Sequence, residues 1–294
     1  MRRTVRPITI TLLLLAAALA AACLSWRSPP FYELAADSRP VPLLSDATLD
    51  SVYATLPQPY ILECAAGTGA VLLYGSKHTR DPNDPQIADL RRRAAAFKPT
   101  LLLVEGRPGA PLAALGDPVR KFGEAGVVLH LAHRDDIPIW TWEPSREAEM
   151  HAQLARFPAE RVALYYVLRP YVSSRRFGRP DNPEAVVEKT RRERTRWPGL
   201  EGTLPSMAAV DSLWRRDFAG LPDWRETSDE HGWPGYLGEI FAASNRIRDE
   251  HFGRIIFERT ARGDRVLAVA GSSHAVRLEP ALAAGCAQPP RVNP

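Results

Sequence analysis

Two histidines occupy matching places in this sequence, each three residues after a glycine that ends an apolar run. The first run leads into "GSKH", which contains Gly75 and His78, and the second leads into "GSSH", which contains Gly271 and His274. Imidazole transfers protons near neutral pH and also binds divalent metals. Glycine lets the backbone turn sharply and approach a ligand closely. The repeated spacing therefore predicts two halves of one site.

Two glutamates follow apolar runs in the same way, Glu105 in "LLLVEG" and Glu143 in "IPIWTWEP". In an open parallel sheet, ligands bind beyond the carboxyl ends of the strands. We therefore expect these two carboxylates to share one edge with His78 and His274, as a divalent metal site or an acid–base site. Two other roles stay open: Glu105 could orient a histidine, and Glu143 could favour the start of the next helix.

A late helical stretch, "NRIRDEHF", carries a further candidate, Arg248. At the same edge, its guanidinium would hold a substrate carboxylate or stabilise an oxyanion. The helical spacing of the charged residues around it suggests ion pairs on a helix surface as the alternative, for Arg246, Asp249, Glu250 and Arg254. The sequence contains no G-x-S-x-G elbow, no G-x-G-x-x-G loop, no P-loop and no H-E-x-x-H motif.

The order of patterns predicts an α/β fold with a mostly parallel sheet, flanking helices and a helical insertion in the middle. Strands that are apolar on both faces alternate with amphipathic stretches, which is typical of parallel sheets. A helix is expected to begin after the N-cap Asp84, and the last helix is expected at about residues 276–284. We expect residues 59–294 to form a single domain, with the insertion at about 145–235.

The first 23 residues, "MRRTVRPITITLLLLAAALAAAC", have the layout of a signal peptide: a basic start, an apolar core and small residues. We predict cleavage after residue 22 and a lipid on Cys23, followed by a tether over residues 23–58. Cleavage by ordinary signal peptidase and an uncleaved anchor are the alternatives. The predicted location is the periplasmic face of a bacterial membrane, or the periplasm or medium without the lipid.

Charge and cysteines fit an exported protein. The net charge of +4 depends on the arginines of the signal peptide. Without them, 35 basic residues face 34 acidic ones, so the composition gives no reason to expect a nucleic-acid partner. Cys64 and Cys286 can form a disulfide outside the cytoplasm, provided that the geometry allows it.

Together these motifs resemble the TraB/PrgY, TIKI and GumN proteins, and the related erythromycin-esterase and ChaN-like proteins. The resemblance covers residues 59–143 and 237–285. It is carried by the two G-x-x-H motifs, by a glutamate after the second strand (Glu105), by a further position at Glu143, and by an arginine segment that places the arginine at Arg248. Two residues depart from the family pattern, namely Lys77 inside the first motif and Phe252 where methionine is frequent.

The resemblance implies an erythromycin-esterase/ChaN-like α/β fold and three possible activities. The TIKI branch implies a metal-dependent peptidase, with His78, His274 and Glu143 as ligands of Mn²⁺, Co²⁺ or Zn²⁺. The esterase branch implies metal-independent hydrolysis by histidine and glutamate. We therefore expect an exported hydrolase of peptides or esters with His78, Glu105, Arg248 and His274 as catalytic residues. The ChaN branch implies the alternative, a lipoprotein that binds haem or another ligand without catalysis. For that alternative we expect an exposed tyrosine or histidine near the edge, with Tyr74 and Tyr236 as the candidate tyrosines.

Overall fold

The computed structural model describes most of the chain beyond the predicted signal peptide. The described residues are 28–109, 117–175, 178–228 and 232–293. The predicted signal peptide, residues 1–22, and the predicted lipidation site, Cys23, lie outside them. Within the described part of the chain, no helix is both long enough and apolar enough to cross a membrane.

The chain divides into two compact units. The first, which we call the sheet unit, holds the described residues up to Glu143 and those from Glu250 onwards. The second, which we call the helical unit, holds the described residues of Pro144–Asp249. The helical unit begins where the helical insertion is predicted to begin but extends further along the chain than residue 235.

One mixed sheet forms the centre of the sheet unit. In chain order its strands are β1 (Tyr60–Ala66), β2 (Gly69–Ser76), β3 (Leu101–Val104), β4 (Ile139–Thr141), β5 (Arg265–Gly271) and β6 (Arg291–Val292). The spatial order is β4-β3-β5-β2-β1-β6. Strands β4, β3, β5 and β2 are parallel, whereas β1 and β6 add antiparallel pairings at one side. The prediction of an α/β fold with a mostly parallel sheet and flanking helices is confirmed at this level.

Helices account for most of the remaining ordered elements. In chain order they are α1 (Asp46–Val52), α2 (Pro85–Phe97), α3 (Pro118–Phe122), α4 (Glu124–Asp135), α5 (Arg146–Leu154), α6 (Ala159–Ser174), α7 (Pro183–Arg194), α8 (Met207–Asp217), α9 (Tyr236–Ala261) and α10 (Ser272–Gly285). Helices α5 to α8 lie in the helical unit, and α9 has residues in both units. As expected, Asp84 is the N-cap of α2 and its side chain accepts a hydrogen bond from the Gln86 amide.

Both faces of the parallel strands are buried, which is what parallel sheets require. On β2, Val71 and Leu73 belong to one apolar cluster, while the alternating residues Leu72 and Tyr74 belong to the other. The same alternation holds on β3 and β5. Since neither face meets water, these strands are continuous apolar runs, and this is why they are recognisable in the sequence.

The antiparallel strand β1 is not among the predicted strands. Its sequence "YILECAA" places Glu63 in the middle of the run, and Glu63 is partly exposed at the antiparallel side of the sheet. The turn into β2 contains Gly67 with φ of 56°, a left-handed conformation that favours glycine. Cys64 on β1 forms a disulfide with Cys286 at the end of α10, with 6.0 Å between the Cα atoms.

The final helix, α10, begins at Ser272, four residues earlier than predicted. The helix starts directly from β5, so the polar residues Ser272, Ser273 and His274 form its first turn and are not a linker. This difference matters for the site, because it places His274 in the first turn of a helix.

The helical unit has an apolar core of its own, centred on α6. Residues 162–168 of α6 are all fully or almost fully buried. Pro170 interrupts the hydrogen bonding of this helix because proline has no N–H for the carbonyl of Tyr166, four residues earlier. The Nη1 of Arg194 on α7 donates to that carbonyl instead, at 2.6 Å.

Candidate functional site

The predicted site residues of the sheet unit follow one row of paired residues across the four parallel strands. The row consists of Thr141, Val104, Val269 and Tyr74, which are neighbours in the registers of β4, β3, β5 and β2. Beyond this row lie, in strand order, Glu143, Glu105, His274 and His78. All four candidates of the sheet unit therefore leave the sheet at its carboxyl edge, where ligands of parallel sheets bind.

The two G-x-x-H motifs meet at Gly271. The motifs are adjacent because β2 pairs with β5, with Ser76 opposite Gly271. A Cβ atom placed on Gly271 would lie 2.9 Å from Nε2 of His78 and 3.7 Å from Cδ2 of His274. Both imidazoles thus lie against the same glycine, and a side chain at this position would collide with His78.

The glycine of the first motif has a different task. A Cβ atom on Gly75 would lie 2.6 Å from the carbonyl oxygen of Tyr60, 2.6 Å from Cβ of Ala275 and 2.9 Å from Cα of Ser272. Gly75 therefore allows α10 to pack directly over β2. This packing brings the start of α10, and with it His274, to the edge that His78 occupies.

His78 lies on the loop that follows β2, and 56% of its side chain is exposed. Its Nδ1 is 3.6 Å from an Oε2 that belongs to Glu124, the first residue of α4. The other carboxylate oxygen of Glu124 accepts a hydrogen bond from the amide of Thr79 at 2.7 Å. Glu124 is only 5% exposed. This carboxylate is not among the residues that the sequence motifs identify.

His274 is held differently, by an aromatic ring. Its imidazole centroid is 5.1 Å from the ring of Trp142, which is fully buried and stacks on Phe252 at 4.6 Å. The indole Nε1 of Trp142 donates to the carbonyl of Val269 at 3.1 Å. His274 therefore rests on a rigid, buried surface and is itself only partly exposed.

A third histidine supports Trp142 from the other side. The Nδ1 of His251 lies 2.8 Å from the carbonyl of Trp142, and because a carbonyl only accepts, this nitrogen carries the hydrogen. Burial lowers the pKa of His251, and the nearby charge of Arg254 lowers it further. His251 is thus a buried structural residue whose pKa lies below the usual value of a histidine.

The two strand-end glutamates are both partly buried. Glu105 follows β3 directly and is succeeded by Gly106 with φ of 69°, so the chain turns sharply at this point. Glu143 comes two residues after β4, and its amide donates to Oγ1 of Thr141 at 3.2 Å. Their shared edge with the histidines is set by the strand register, and their roles stay predictions.

Arg248 and Asp249 belong to the helical unit and lie on α9. They are 3% and 0% exposed, so the alternative of a surface ion pair is wrong for Asp249. The charge of Arg248 acts on Tyr165 of the same unit by lowering the pKa of its hydroxyl, although burial dominates and raises that pKa overall. Arg248 is therefore a buried cation, and its predicted catalytic role stays a prediction.

The two tyrosines considered as haem ligands are both engaged in hydrogen bonds. Tyr74 is fully buried in β2, and its hydroxyl donates to the carbonyl of Gln86 at 3.0 Å. Tyr236 is partly buried, and its hydroxyl donates to Asp217 at 2.8 Å. The expectation of an exposed tyrosine at the edge is wrong for Tyr74, because the alternation of β2 directs its ring into the core.

A divalent metal needs more donors than the two imidazoles. Catalytic zinc sites commonly use three protein ligands. Among the residues that the structure describes, no three or more His, Cys, Asp or Glu side chains form a group that could hold a metal ion. The pair of His78 and His274 is thus short of a full ligand set, and the predicted third ligand, Glu143, stays a prediction.

Comparison with protein-family models, with curated proteins and with solved structures found no match for this chain. The resemblance to the TraB/PrgY, TIKI and GumN proteins therefore rests on the motif residues alone and stays a prediction.

Proposed function

We propose that this chain is an exported hydrolase of the peptidase or esterase type, in which His78 and His274 transfer protons at the carboxyl edge of the sheet. The observation that carries the proposal is the meeting of both imidazoles at Gly271, with Nε2 of His78 nearest to it. Two imidazoles at one glycine bring a base and an acid to the same small space.

The simplest reaction uses water as the nucleophile. Nε2 of His78 takes a proton from a water molecule as its oxygen attacks the acyl carbon of an ester or amide. When the tetrahedral intermediate collapses, His274 in its protonated form donates a proton to the leaving oxygen or nitrogen. Proton exchange with water then returns His78 to its neutral form and His274 to its protonated form. The contact of His274 with Trp142, at the first turn of α10, supports this role.

The amino end of helix α10 would stabilise the oxyanion that develops in this reaction. Helix α10 begins at the site, and its N-cap, Gly271, offers no side chain to cap the first amides. The amino end of a helix carries partial positive charge, which favours an anion. The proposed role of Arg248 as a further stabilising cation follows from the motif resemblance, as does the proposed role of Glu105 beside the histidines.

The resemblance also allows a metal-dependent version of the same site. The described donors are short of a catalytic ligand set, so we derive no step through a metal. If Mn²⁺, Co²⁺ or Zn²⁺ binds, His78, His274 and Glu143 are the residues that we expect to hold it, and the ion would supply an activated water.

The remaining features of the proposal follow from the sequence. We propose an erythromycin-esterase/ChaN-like arrangement of the α/β fold. We also propose export with a lipid on Cys23, so that the enzyme acts on peptides or esters at a membrane surface outside the cytoplasm.

The test uses the full chain in mild detergent after dialysis against a chelator. Hydrolysis of p-nitrophenyl acetate, p-nitrophenyl butyrate and a fluorogenic peptide library is measured with and without added Mn²⁺, Co²⁺ or Zn²⁺. His78→Ala and His274→Ala are compared with His133→Ala, since His133 is an exposed histidine on α4. We expect the first two variants to lose about 10²- to 10⁴-fold in rate, the usual contribution of a general acid or base, and the control to keep full activity.

The outcomes separate the versions of the site. Hydrolysis without metal that needs both histidines supports acid–base catalysis. Hydrolysis that appears only with metal supports the metal-dependent version. A folded chain that hydrolyses none of the probes overturns the proposal, and haem titration then tests the alternative of a binding lipoprotein.

A further inference from the structure

His78 lies on an exposed loop, yet the backbone on both sides of it is held by buried side chains. Before it, the backbone of Lys77 makes two hydrogen bonds with the side-chain amide of Gln86. The Lys77 N–H donates to Oε1 of Gln86 at 3.1 Å, and Nε2 of Gln86 donates to the Lys77 carbonyl. Gln86 is 7% exposed and sits in the first turn of α2.

After His78, the next residue is held by a buried carboxylate. The amide of Thr79 donates to Oε1 of Glu124 at 2.7 Å. The start of α4 can approach this loop because Gly123 has no side chain. A Cβ atom there would lie 2.7 Å from the Thr79 carbonyl oxygen, and its φ of 61° also favours glycine. The loop is thus fixed between the starts of two helices.

Glu124 also faces the imidazole itself. Its second oxygen, Oε2, lies 3.6 Å from Nδ1 of His78, while Nε2 of the same ring lies toward Gly271. The distance is longer than a hydrogen bond, but catalytic hydrogen bonds are often long before substrate binds. A small rotation of the exposed imidazole would bring Nδ1 of His78 within hydrogen-bond distance of Oε2 of Glu124. A carboxylate at Nδ1 selects the tautomer that has its proton on Nδ1 and leaves Nε2 unprotonated.

We propose that Gln86 and Glu124 are positioning residues for His78: together they fix its loop, and Glu124, in contrast to Gln86, also acts on its tautomer. The inference deepens the proposed hydrolase function and rests on it, because it names the groups that direct the basic nitrogen of His78 to the reacting water. A free imidazole in water prefers the other tautomer, with the proton on Nε2. The carboxylate of Glu124 is therefore expected to reverse the tautomer preference that the free imidazole has in water.

The test separates the two roles with isosteric and truncating variants of the full chain. Glu124→Gln keeps an oxygen for the Thr79 amide but presents an NH₂ group to Nδ1, which reverses the preferred tautomer. Gln86→Ala removes both bonds to Lys77 and leaves the carboxylate in place. Glu33→Gln is the matched control, since Glu33 is an exposed carboxylate of the same unit.

The first readout is the tautomer of His78, from long-range ¹H–¹⁵N spectra of histidine-labelled protein at pH 8, assigned by the signal lost in His78→Gln. We expect the Nδ1–H form in the parent, in Gln86→Ala and in Glu33→Gln, and the Nε2–H form in Glu124→Gln. The second readout is hydrolysis of the probe ester. We expect kcat to fall about 10- to 100-fold in Glu124→Gln with KM nearly unchanged, and Glu124→Asp to retain more of the parent kcat than Glu124→Gln.

Each outcome decides one proposal without confusing it with the other. If Glu124→Gln leaves the tautomer as in the parent, the positioning role of Glu124 is overturned even if the chain hydrolyses the probes. If the tautomer changes as expected but the parent hydrolyses nothing, the positioning of His78 stands and the hydrolase function fails. If Gln86→Ala leaves kcat at the parent value, Gln86 does not position His78.

Discussion

The two G-x-x-H motifs have the same spacing but hold their histidines by different means. His78 is on an exposed loop that is fixed by hydrogen bonds from the Lys77 and Thr79 amides to the side chains of Gln86 and Glu124. His274 is in the first turn of α10 and is fixed by packing on Trp142. The motif therefore determines at which edge of the sheet a histidine lies, whereas the residues around that histidine determine how its imidazole is held. A loop histidine can rotate toward a substrate, and a helical one keeps its place.

Substitutions at the glycines of the two motifs are expected to have the largest effects and to differ most clearly from each other. Gly75→Ala forces a methyl group against the Tyr60 carbonyl and the backbone of α10, neither of which can move cheaply. We expect it to lower the free energy of unfolding by about 2–3 kcal/mol, the upper part of the range for overpacking. Denaturant titration of the full chain measures the effect.

Gly271→Ala is the matched variant for that measurement. Its methyl group meets the end of a rotatable side chain, Nε2 of His78, and the backbone of Gly271 has an ordinary φ of −61°. We expect a change in the free energy of unfolding below about 1 kcal/mol, since the imidazole can move aside. Equal destabilisation by the two substitutions would show that the two glycines do not differ as described.

Activity should respond in the opposite sense. Gly271→Ala pushes His78 away from the point where the two imidazoles meet, and a displacement of about 1 Å can cost about 100-fold in rate. We therefore expect a large loss of ester hydrolysis in a protein that remains folded, as checked by circular dichroism and thermal melting. Full activity in Gly271→Ala would contradict the idea that both histidines act at this glycine.

The aromatic support of His274 should have a smaller effect. Trp142→Phe keeps a ring beneath the imidazole and against Phe252 but removes the indole donor to the Val269 carbonyl. We expect a loss of stability larger than the ~1 kcal/mol of one hydrogen bond, because the smaller ring also leaves a cavity at this fully buried position, and a smaller decrease in activity than Gly271→Ala causes. Stability and rate are measured on the same preparation. An unchanged free energy of unfolding would show that the hydrogen bond from Trp142 to the Val269 carbonyl does not stabilise the fold.

The last effect concerns His251, which contacts the second motif only through Trp142 and changes stability only at acidic pH. Because burial lowers its folded-state pKa, the unfolded chain binds a proton below the ordinary pKa of 6.5 and the folded chain does not. This part of the stability is present above pH 6.5 and is lost as the pH falls toward the folded pKa, by at most about 1.4 kcal/mol per pH unit.

His251→Gln should therefore flatten the decline of stability between pH 6.5 and pH 5. The control His133→Gln, at an exposed position, should leave the curve unchanged. Parallel curves for the parent and His251→Gln would show that His251 takes up its proton in the folded state as readily as in the unfolded one.

The sequence by itself determined the elements whose signal is local. The strands β2, β3 and β5 can be predicted from the sequence because both of their faces are buried, which makes them continuous apolar runs. The N-cap Asp84 can be predicted because a cap binds the backbone of residues next to it in the chain. The shared edge of His78, Glu105, Glu143 and His274 follows from parallel strands alone. The pairing of Cys64 with Cys286 was open in the sequence, and the geometry of the fold confirms it.

Only the tertiary structure decided which side chains surround the two histidines. Glu124 lies 46 residues after His78 in the chain, and Trp142 lies 132 residues before His274, so no spacing rule relates them. They meet because β5, the strand from the end of the chain, inserts between β3 and β2, and because Gly75 and Gly123 allow α10 and α4 to approach. Close packing between distant segments depends on the whole arrangement of strands and helices, and a local pattern does not contain it.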